Sequence, residues 1–332
     1  MSEDKFSPLM PITSRPDSIM IRGKGSYLWD DRGRRYLDFI QGWAVNALGH
    51  CPPEILEALG QQAGQLINPS PALHNAPQLA LSSHLVSLSG LSQVHFANSG
   101  AEANEAAIKL ARKWGQVKKS GAFEILSTKN GFHGRTLATM AASGKAGWDM
   151  LFPPPMPGFR KVPFGDAEAV SQAITSETVA VLVEPIQGEA GVIVPPSGYL
   201  RDLRSLADDH NILLILDEVQ TGVGRTGTFF ACERENITPD IITLGKGLGG
   251  GVPISAMLAA EHACCFAYGD QGGTYNGNPL MTAVGLAVIK TVSSQHFLDG
   301  VAAAGIVIQD ALTKLGDRFD FRDIRGSGLL WA

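Results

Sequence analysis

Along the middle of the chain, short unbroken apolar runs alternate with segments whose apolar residues recur every three or four positions. The runs 94–97, 122–126, 179–183, 212–216, 240–244 and 254–258 lack the polar alternation of a half-exposed strand. They predict strands covered on both faces. Segment 102–117 places Ala103, Ala106, Ala107, Leu110, Ala111 and Trp114 on one helical stripe. Helical spacing also covers 167–174, Tyr199–Asp209, 280–292 and 297–315, and earlier the stretch after Pro52-Pro53 to about 67 and 77–88, with Pro69-Ser70-Pro71 between those two. Strands at 27–29 and 36–40 flank the turn Asp30-Asp31-Arg32-Gly33, and segments 319–324 and 328 onward read as a closing hairpin. Buried strands alternating with helices predict an α/β protein with a mostly parallel sheet covered on both sides.

Composition narrows the picture. The 332 residues include 44% hydrophobic and 18% charged positions, which excludes a disordered chain. Glycine is in excess, at 38 residues, without a collagen period, so it belongs in turns and close-approach loops. The formal net charge is −5 and no basic run or basic helix occurs, which argues against a nucleic-acid partner. Cys51, Cys232, Cys264 and Cys265 form no C-x-x-C pair and read as buried, reduced thiols. Met1-Ser2-Glu3-Asp4-Lys5 is polar, unlike a signal peptide, and no run approaches the ~18 apolar residues of a membrane span. These features predict a cytoplasmic protein with no membrane contact.

In open α/β sheets, ligands bind beyond the carboxyl ends of the strands, so the residues following each strand are the candidates. After 94–97 comes Asn98-Ser99-Gly100-Ala101-Glu102, a turn opening into a long helix. It reads either as a phosphate site at a helix N-terminus or as a Ser-x-x-Glu capping box. Asp217 ends a buried strand, and is either satisfied by backbone N–H groups or holds a cationic partner. Lys246 lies between Gly245 and Gly247 just past another buried strand, where a desolvated amine becomes a nucleophile toward carbonyls. Gly131-Phe132-His133-Gly134-Arg135 combines a stacking ring with a guanidinium that can fork onto a carboxylate.

Two G-x-G-x-x-G matches, at 222–227 and 245–250, would suit a dinucleotide. Neither leads into a helix, and the ribose-binding acid is missing. There is no Walker A lysine, no H-E-x-x-H spacing and no G-x-S-x-G elbow, so metal and serine-hydrolase chemistry are not expected. A nicotinamide-linked oxidoreductase and a non-catalytic interaction subunit are the competing classes. The remaining set is a phosphate cradle, a ring, an acid and an imine-forming lysine, which is what pyridoxal 5′-phosphate needs.

In that order these motifs resemble the class III aminotransferases of fold type I, in the acetylornithine, succinylornithine and ornithine branch. Glu184-Pro185-Ile186-Gln187-Gly188-Glu189, Asp217-Glu218-Val219-Gln220 and Thr274-Tyr275-Asn276-Gly277-Asn278-Pro279 add to the resemblance, which spans nearly the whole chain. It implies a seven-stranded, mostly parallel sheet in a cofactor domain over 49–287, with 1–48 and 288–332 in a smaller α+β domain. It implies that Lys246 carries the cofactor and then shuttles a proton, that Asp217 pairs with the ring nitrogen, and that Gln220 contacts the ring hydroxyl side. Ser99, Gly100 and Ala101 would hold the phosphate, with Phe132 and His133 at the ring. Thr274 would reach the partner subunit's cofactor phosphate in a homodimer. Arg135 would grip a substrate carboxylate, and Glu189 would pair with an arginine near the C-terminus, releasing it for 2-oxoglutarate. The reaction implied is transfer of the amino group of an ω-amino donor, N-acetylornithine first, to 2-oxoglutarate in arginine biosynthesis. Ornithine, succinylornithine and 4-aminobutyrate are the alternative donors.

Two positions depart from the family pattern. Gly273 stands where a serine often precedes the threonine, and Trp43 stands where a smaller residue is common. Trp43 is expected either to narrow the substrate channel or to sit in the core. The last residues, Gly328-Leu329-Leu330-Trp331-Ala332, read as the middle of a strand. The smaller domain is therefore expected to be incomplete, lacking the arginine that would pair with Glu189, with cofactor binding through Lys246 retained and transamination poor.

Overall fold

The computed structural model describes residues 8–332; the polar start at Met1-Ser2-Glu3-Asp4-Lys5 lies outside the described residues. β1 (Met20–Lys24), β2 (Tyr27–Asp30) and β3 (Arg35–Leu37) form a small antiparallel sheet. Its tight turn is organised by the fully buried Asp30, whose carboxylate accepts the Arg32 and Arg34 N–H groups at 3.0 and 2.9 Å. The strand expected over 36–40 stops at Leu37. Asp38 accepts the N–H groups of Ile40 and Gln41, both at 2.9 Å, and turns the chain instead. The irregular turn α1 (Gln41–Ala44) follows, with Gly42 and Trp43 left-handed.

Helices α2 (Pro53–Ala63) and α3 (Ala76–Ser89) both begin with proline in the first turn. α2 ends at Gly64, short of the expected 67. The main body then runs β4 (Gln93–Ala97), α4 (Gly100–Lys118), β5 (Glu124–Thr128), α5 (Leu137–Ala142), β6 (Phe159–Val162), α6 (Ala167–Ala173), β7 (Thr178–Val183), α7 (Tyr199–Asp209), β8 (Leu213–Asp217), β9 (Ile241–Leu244) and β10 (Ser255–Ala259). Helices α8 (Pro279–Val292) and α9 (Gln295–Phe319) precede the hairpin β11 (Gly326–Ser327) and β12 (Leu330–Trp331).

The central sheet has seven strands in the order β4-β10-β9-β8-β7-β5-β6. Strand β10 is antiparallel to both neighbours, and the remaining pairs are parallel. The fold is therefore the mostly parallel, covered α/β sheet that the apolar runs predict. Successive residues point to opposite faces: Val181, Val183, Leu214 and Leu216 pack in one core, and Ala180, Leu182, Leu213 and Ile215 in the other. The valine, leucine and isoleucine side chains among these are essentially inaccessible to water, and each contributes roughly 2 kcal/mol of burial.

Three expectations are corrected. Segment 319–324 is not a strand: α9 runs to Phe319, Asp320 ends it in a left-handed conformation, and the hairpin turns at Gly328. Only Cys232 is buried, Cys264 and Cys265 are half-buried and Cys51 is exposed, although all four cysteines are free. Trp43 is 64% exposed and so is no core residue. Among the described residues, no helix is long and apolar enough to cross a membrane, and no three His, Cys, Asp or Glu side chains cluster to hold a metal.

Candidate active site

The connections after β4, β5, β7, β8 and β9 all leave the carboxyl rim of the sheet, and their side chains enclose a cavity of about 260 Å3. After β4, Ser99 caps α4: its Oγ accepts the Glu102 N–H at 3.3 Å, and Glu102 reaches back to the Asn98 N–H at 2.9 Å. The cap thus occupies Ser99, with the Glu102 carboxylate reaching one residue beyond a strict capping box, while Gly100 and Ala101, in the first turn, line the cavity. At position 100 a Cβ would stand 2.6 Å from Val219 Cγ1, so any side chain there forces Val219 to move.

Asp217 ends β8 at 4% exposure. Its Oδ2 accepts from Asn104 Nδ2 at 2.7 Å and lies 2.8 Å from His133 Nδ1; its Oδ1 accepts the Val219 N–H at 3.0 Å. Asn104 is itself fixed, donating to the His133 carbonyl at 2.8 Å and accepting from Thr243 Oγ1 at 2.7 Å. One amide thus ties α4, β8, β9 and the loop after β5 together behind the carboxylate.

That loop brings Phe132, His133 and Arg135 to the cavity. Gly134 has φ 136°, and a Cβ there would meet Ala101 Cβ at 2.6 Å, so the loop closes directly on the start of α4. Phe132 packs edge-on against Trp148, ring centres 5.8 Å apart, and the Arg135 guanidinium lies 5.2 Å from the same indole. Beyond β7, Glu184 is buried and accepts the Phe132 N–H at 3.0 Å. Burial, reinforced by nearby Asp217, pushes its carboxyl up to about 8.

Lys246 opens a short helical turn after β9 with φ 41°, a left-handed conformation strained for a lysine. Its amine makes no hydrogen bond among the described residues. Burial holds it below the ordinary lysine range, against the opposing pull of Asp217, Glu184 and Glu189. Two polar atoms in this shell are buried without a partner, Gln220 Oε1 and His133 Nε2.

Of the expected residues, Gly100, Ala101, Phe132, His133, Arg135, Glu189, Asp217, Gln220 and Lys246 line the one cavity. Ser99, Thr274 and Trp43 do not; the Thr274 carbonyl instead accepts from Asn68 Nδ2 at 3.3 Å. Glu189 pairs with Lys145, Nζ to Oε2 3.2 Å. Arg325 donates to the Gly191 carbonyl at 3.0 and 2.6 Å. Sequence reasoning missed Asn104, Lys145, Trp148 and the role of Glu184 as a loop anchor. Asn104 was findable as a polar residue beside an alanine stripe, and Glu184 as an acid following a buried strand.

A profile of the family described as "Aminotransferase class-III" matches residues 12–332. The chain is 54% identical over 331 residues to an acetylornithine aminotransferase 2 of Bordetella pertussis, spanning 100% of this chain and 84% of that protein. An ornithine aminotransferase structure from Toxoplasma gondii superposes with TM-score 0.94 at 33% identity, covering 98% of this chain and 79% of that one. An N-acetylornithine aminotransferase structure from Stenotrophomonas maltophilia superposes with TM-score 0.82 at 36% identity, covering 96% and 80%.

Proposed function

This chain belongs to the class-III aminotransferases, pyridoxal-phosphate-dependent transaminases, and on that premise we propose that it transfers the ω-amino group of N-acetylornithine to 2-oxoglutarate, giving glutamate and a semialdehyde in arginine biosynthesis. The observation that carries the reading is Lys246: a desolvated amine on the wall of a cavity that also holds a buried acid, a ring and a helix N-terminus.

The residues present fit the cofactor. Gly100 and Ala101 offer N–H groups at the positive end of the 19-residue α4, where a phosphate is favoured. Asp217 would be the acid for the ring nitrogen, and Asn104 and His133 hold it in orientation. Gln220, with its unpartnered Oε1, would take the ring hydroxyl side, and Phe132 would cover one face. His133 completes the set, and Ser99 shapes the phosphate loop as the cap of α4. When bound, the cofactor supplies an electron sink for the carbon that loses its proton.

The chain's own groups do the rest. Lys246 Nζ takes the proton from the substrate carbon that bears the amine. Its lowered pKa keeps more of it as free amine at neutral pH. Arg135 forks onto the donor's carboxylate, and Glu189 sets the charge at the cavity mouth. Thr274, away from its own chain's cavity, serves the phosphate of a second subunit in a homodimer, and exposed Trp43 narrows the channel. Residues 49–287 form the cofactor domain, with 1–48 and 288–332 in the smaller unit. The free cysteines fit a reducing cytoplasm. A panel of amino donors with 2-oxoglutarate tests the substrate: N-acetylornithine is expected to be turned over fastest. Turnover of ornithine or 4-aminobutyrate with none of the acylated donor overturns that assignment.

A further inference from the structure

Lys161 lies in β6, the edge strand of the central sheet, yet its amine turns onto backbone inside the fold. Nζ donates to the Ala141 and Ala142 carbonyls at 2.5 and 2.7 Å and to Ser127 Oγ at 2.8 Å. Ala141 and Ala142 are the last two residues of α5, so the ammonium caps carbonyls that this short helix leaves open. Three acceptors need three N–H donors, and only the protonated amine has them. No carboxylate pairs with it among the described residues. The elements packed against it offer none: α5 has no ionisable side chain, Glu124 of β5 pairs with Arg160 at 3.4 Å, and Glu168 of α6 accepts from Gln172 at 2.9 Å. Lys145 and Asp149 are the other ionisable residues lining the cavity of about 520 Å3 beside Lys161. Burial without a counter-charge brings the Lys161 amine down to about 7.

The end of α5 is tied in turn to the loop that carries Phe132 and His133. Ser143 follows α5 directly; its Oγ donates to the Thr139 carbonyl at 2.7 Å and accepts the His133 N–H at 2.9 Å. The Gly144 N–H donates to the Gly131 carbonyl, and the Gly144 carbonyl accepts the Asn130 N–H, both at 2.9 Å. His133 then presents Nδ1 to Asp217 Oδ2 at 2.8 Å. The path from the ammonium to the acid runs through Ala142, Ser143 and His133, all of them buried.

We propose that Lys161 is a positioning residue for the cofactor: its ammonium fixes the end of α5 and, through Ser143, the orientation of His133 against Asp217. The proposal rests on the reading of Asp217 as the acid for the ring nitrogen.

The test is titration of the cofactor-free chain with pyridoxal 5′-phosphate, read by fluorescence and by the visible band of the bound cofactor. The chains compared are the parent, Lys161→Met, Lys161→Arg, Ser143→Ala and the double variant K161M/S143A, with urea unfolding of each cofactor-free chain alongside. K161M should weaken cofactor affinity roughly five- to tenfold, the worth of about one hydrogen bond, and should shift the pH midpoint of the visible band. The double variant should bind no more weakly than S143A, because the link passes through Ser143. Arginine keeps its charge where Lys161 loses it, so the affinity of K161R relative to the parent should rise as pH rises through about 7. A K161M chain that is less stable to urea but binds the cofactor with unchanged affinity and band overturns the proposal, as do K161M and S143A effects that combine independently. If K161M does not fold, a K161R-to-parent ratio that stays flat with pH overturns it. A parent chain that binds no cofactor overturns the reading of the site together with it.

Discussion

Replacing Asn104 tests the network behind the cavity. Asn104 is 1% exposed, and its side chain makes three hydrogen bonds of 2.7 to 2.8 Å, to Asp217, to the His133 carbonyl and from Thr243. Asn104→Ala removes one bond to a carboxylate, worth about 1.5–3 kcal/mol, and two neutral bonds of about 0.5–1.5 kcal/mol each. The partners left behind are buried, so little of this is recovered by water. The expected loss is therefore about 3–5 kcal/mol, a large part of a domain's net stability. Asn104→Asp keeps the shape but sets an acceptor against Asp217 in place of a donor, and should be worse than N104A at alkaline pH, where the introduced carboxyl ionises. Urea unfolding of the cofactor-free chain at fixed concentration reads both. A loss below about 1 kcal/mol in N104A would show that the amide is not a structural tie between α4 and the strand ends.

Gly100→Ala, with its Cβ 2.6 Å from Val219 Cγ1, should push the loop out of register and weaken cofactor affinity at least tenfold; fluorescence titration with the cofactor checks it. Gln220→Met should stabilise the cofactor-free chain by about 1 kcal/mol, because it removes a buried oxygen without a partner, and should weaken cofactor binding. Glu184 gives a pH signature. Its carboxyl is pushed up to about 8 by burial, so from the ordinary carboxylate range to about pH 8 the folded chain holds a proton that the unfolded chain has lost. Folded stability through this group therefore falls as pH rises across that window. The advantage of Glu184→Gln over the parent should grow in the same window, and a constant difference would refute the shift.

The large α/β body was legible because its strands are buried on both faces: four consecutive residues, Leu213 to Leu216, carry no polar interruption, as a strand covered on both sides requires. The short elements were not. β6 is four residues at the sheet edge with Arg160 and Lys161 in its middle, and α5 has six residues, too few for a helical period to show. The final hairpin was misplaced because Phe319-Asp320-Phe321 alternates like a strand, whereas Asp320 takes the left-handed cap of α9. In the site, Lys246, Asp217 and Gly100 stood out because each lies at or within three residues of the end of a strand. Lys145 lies 17 residues beyond β5 (145 against Thr128) and reaches Glu189 only through the folding of an irregular loop, so no local pattern marks it. Trp43 was open between the channel and the core, and its exposure of 64% excludes only the core.

The central claim is that Lys246 carries the cofactor. Its most direct test is borohydride reduction of the chain loaded with pyridoxal 5′-phosphate, followed by peptide mass mapping. A single reduced adduct on the peptide containing Lys246, absent from Lys246→Ala, is the predicted result. An adduct confined to another lysine, or none at all in a folded chain, would contradict the account.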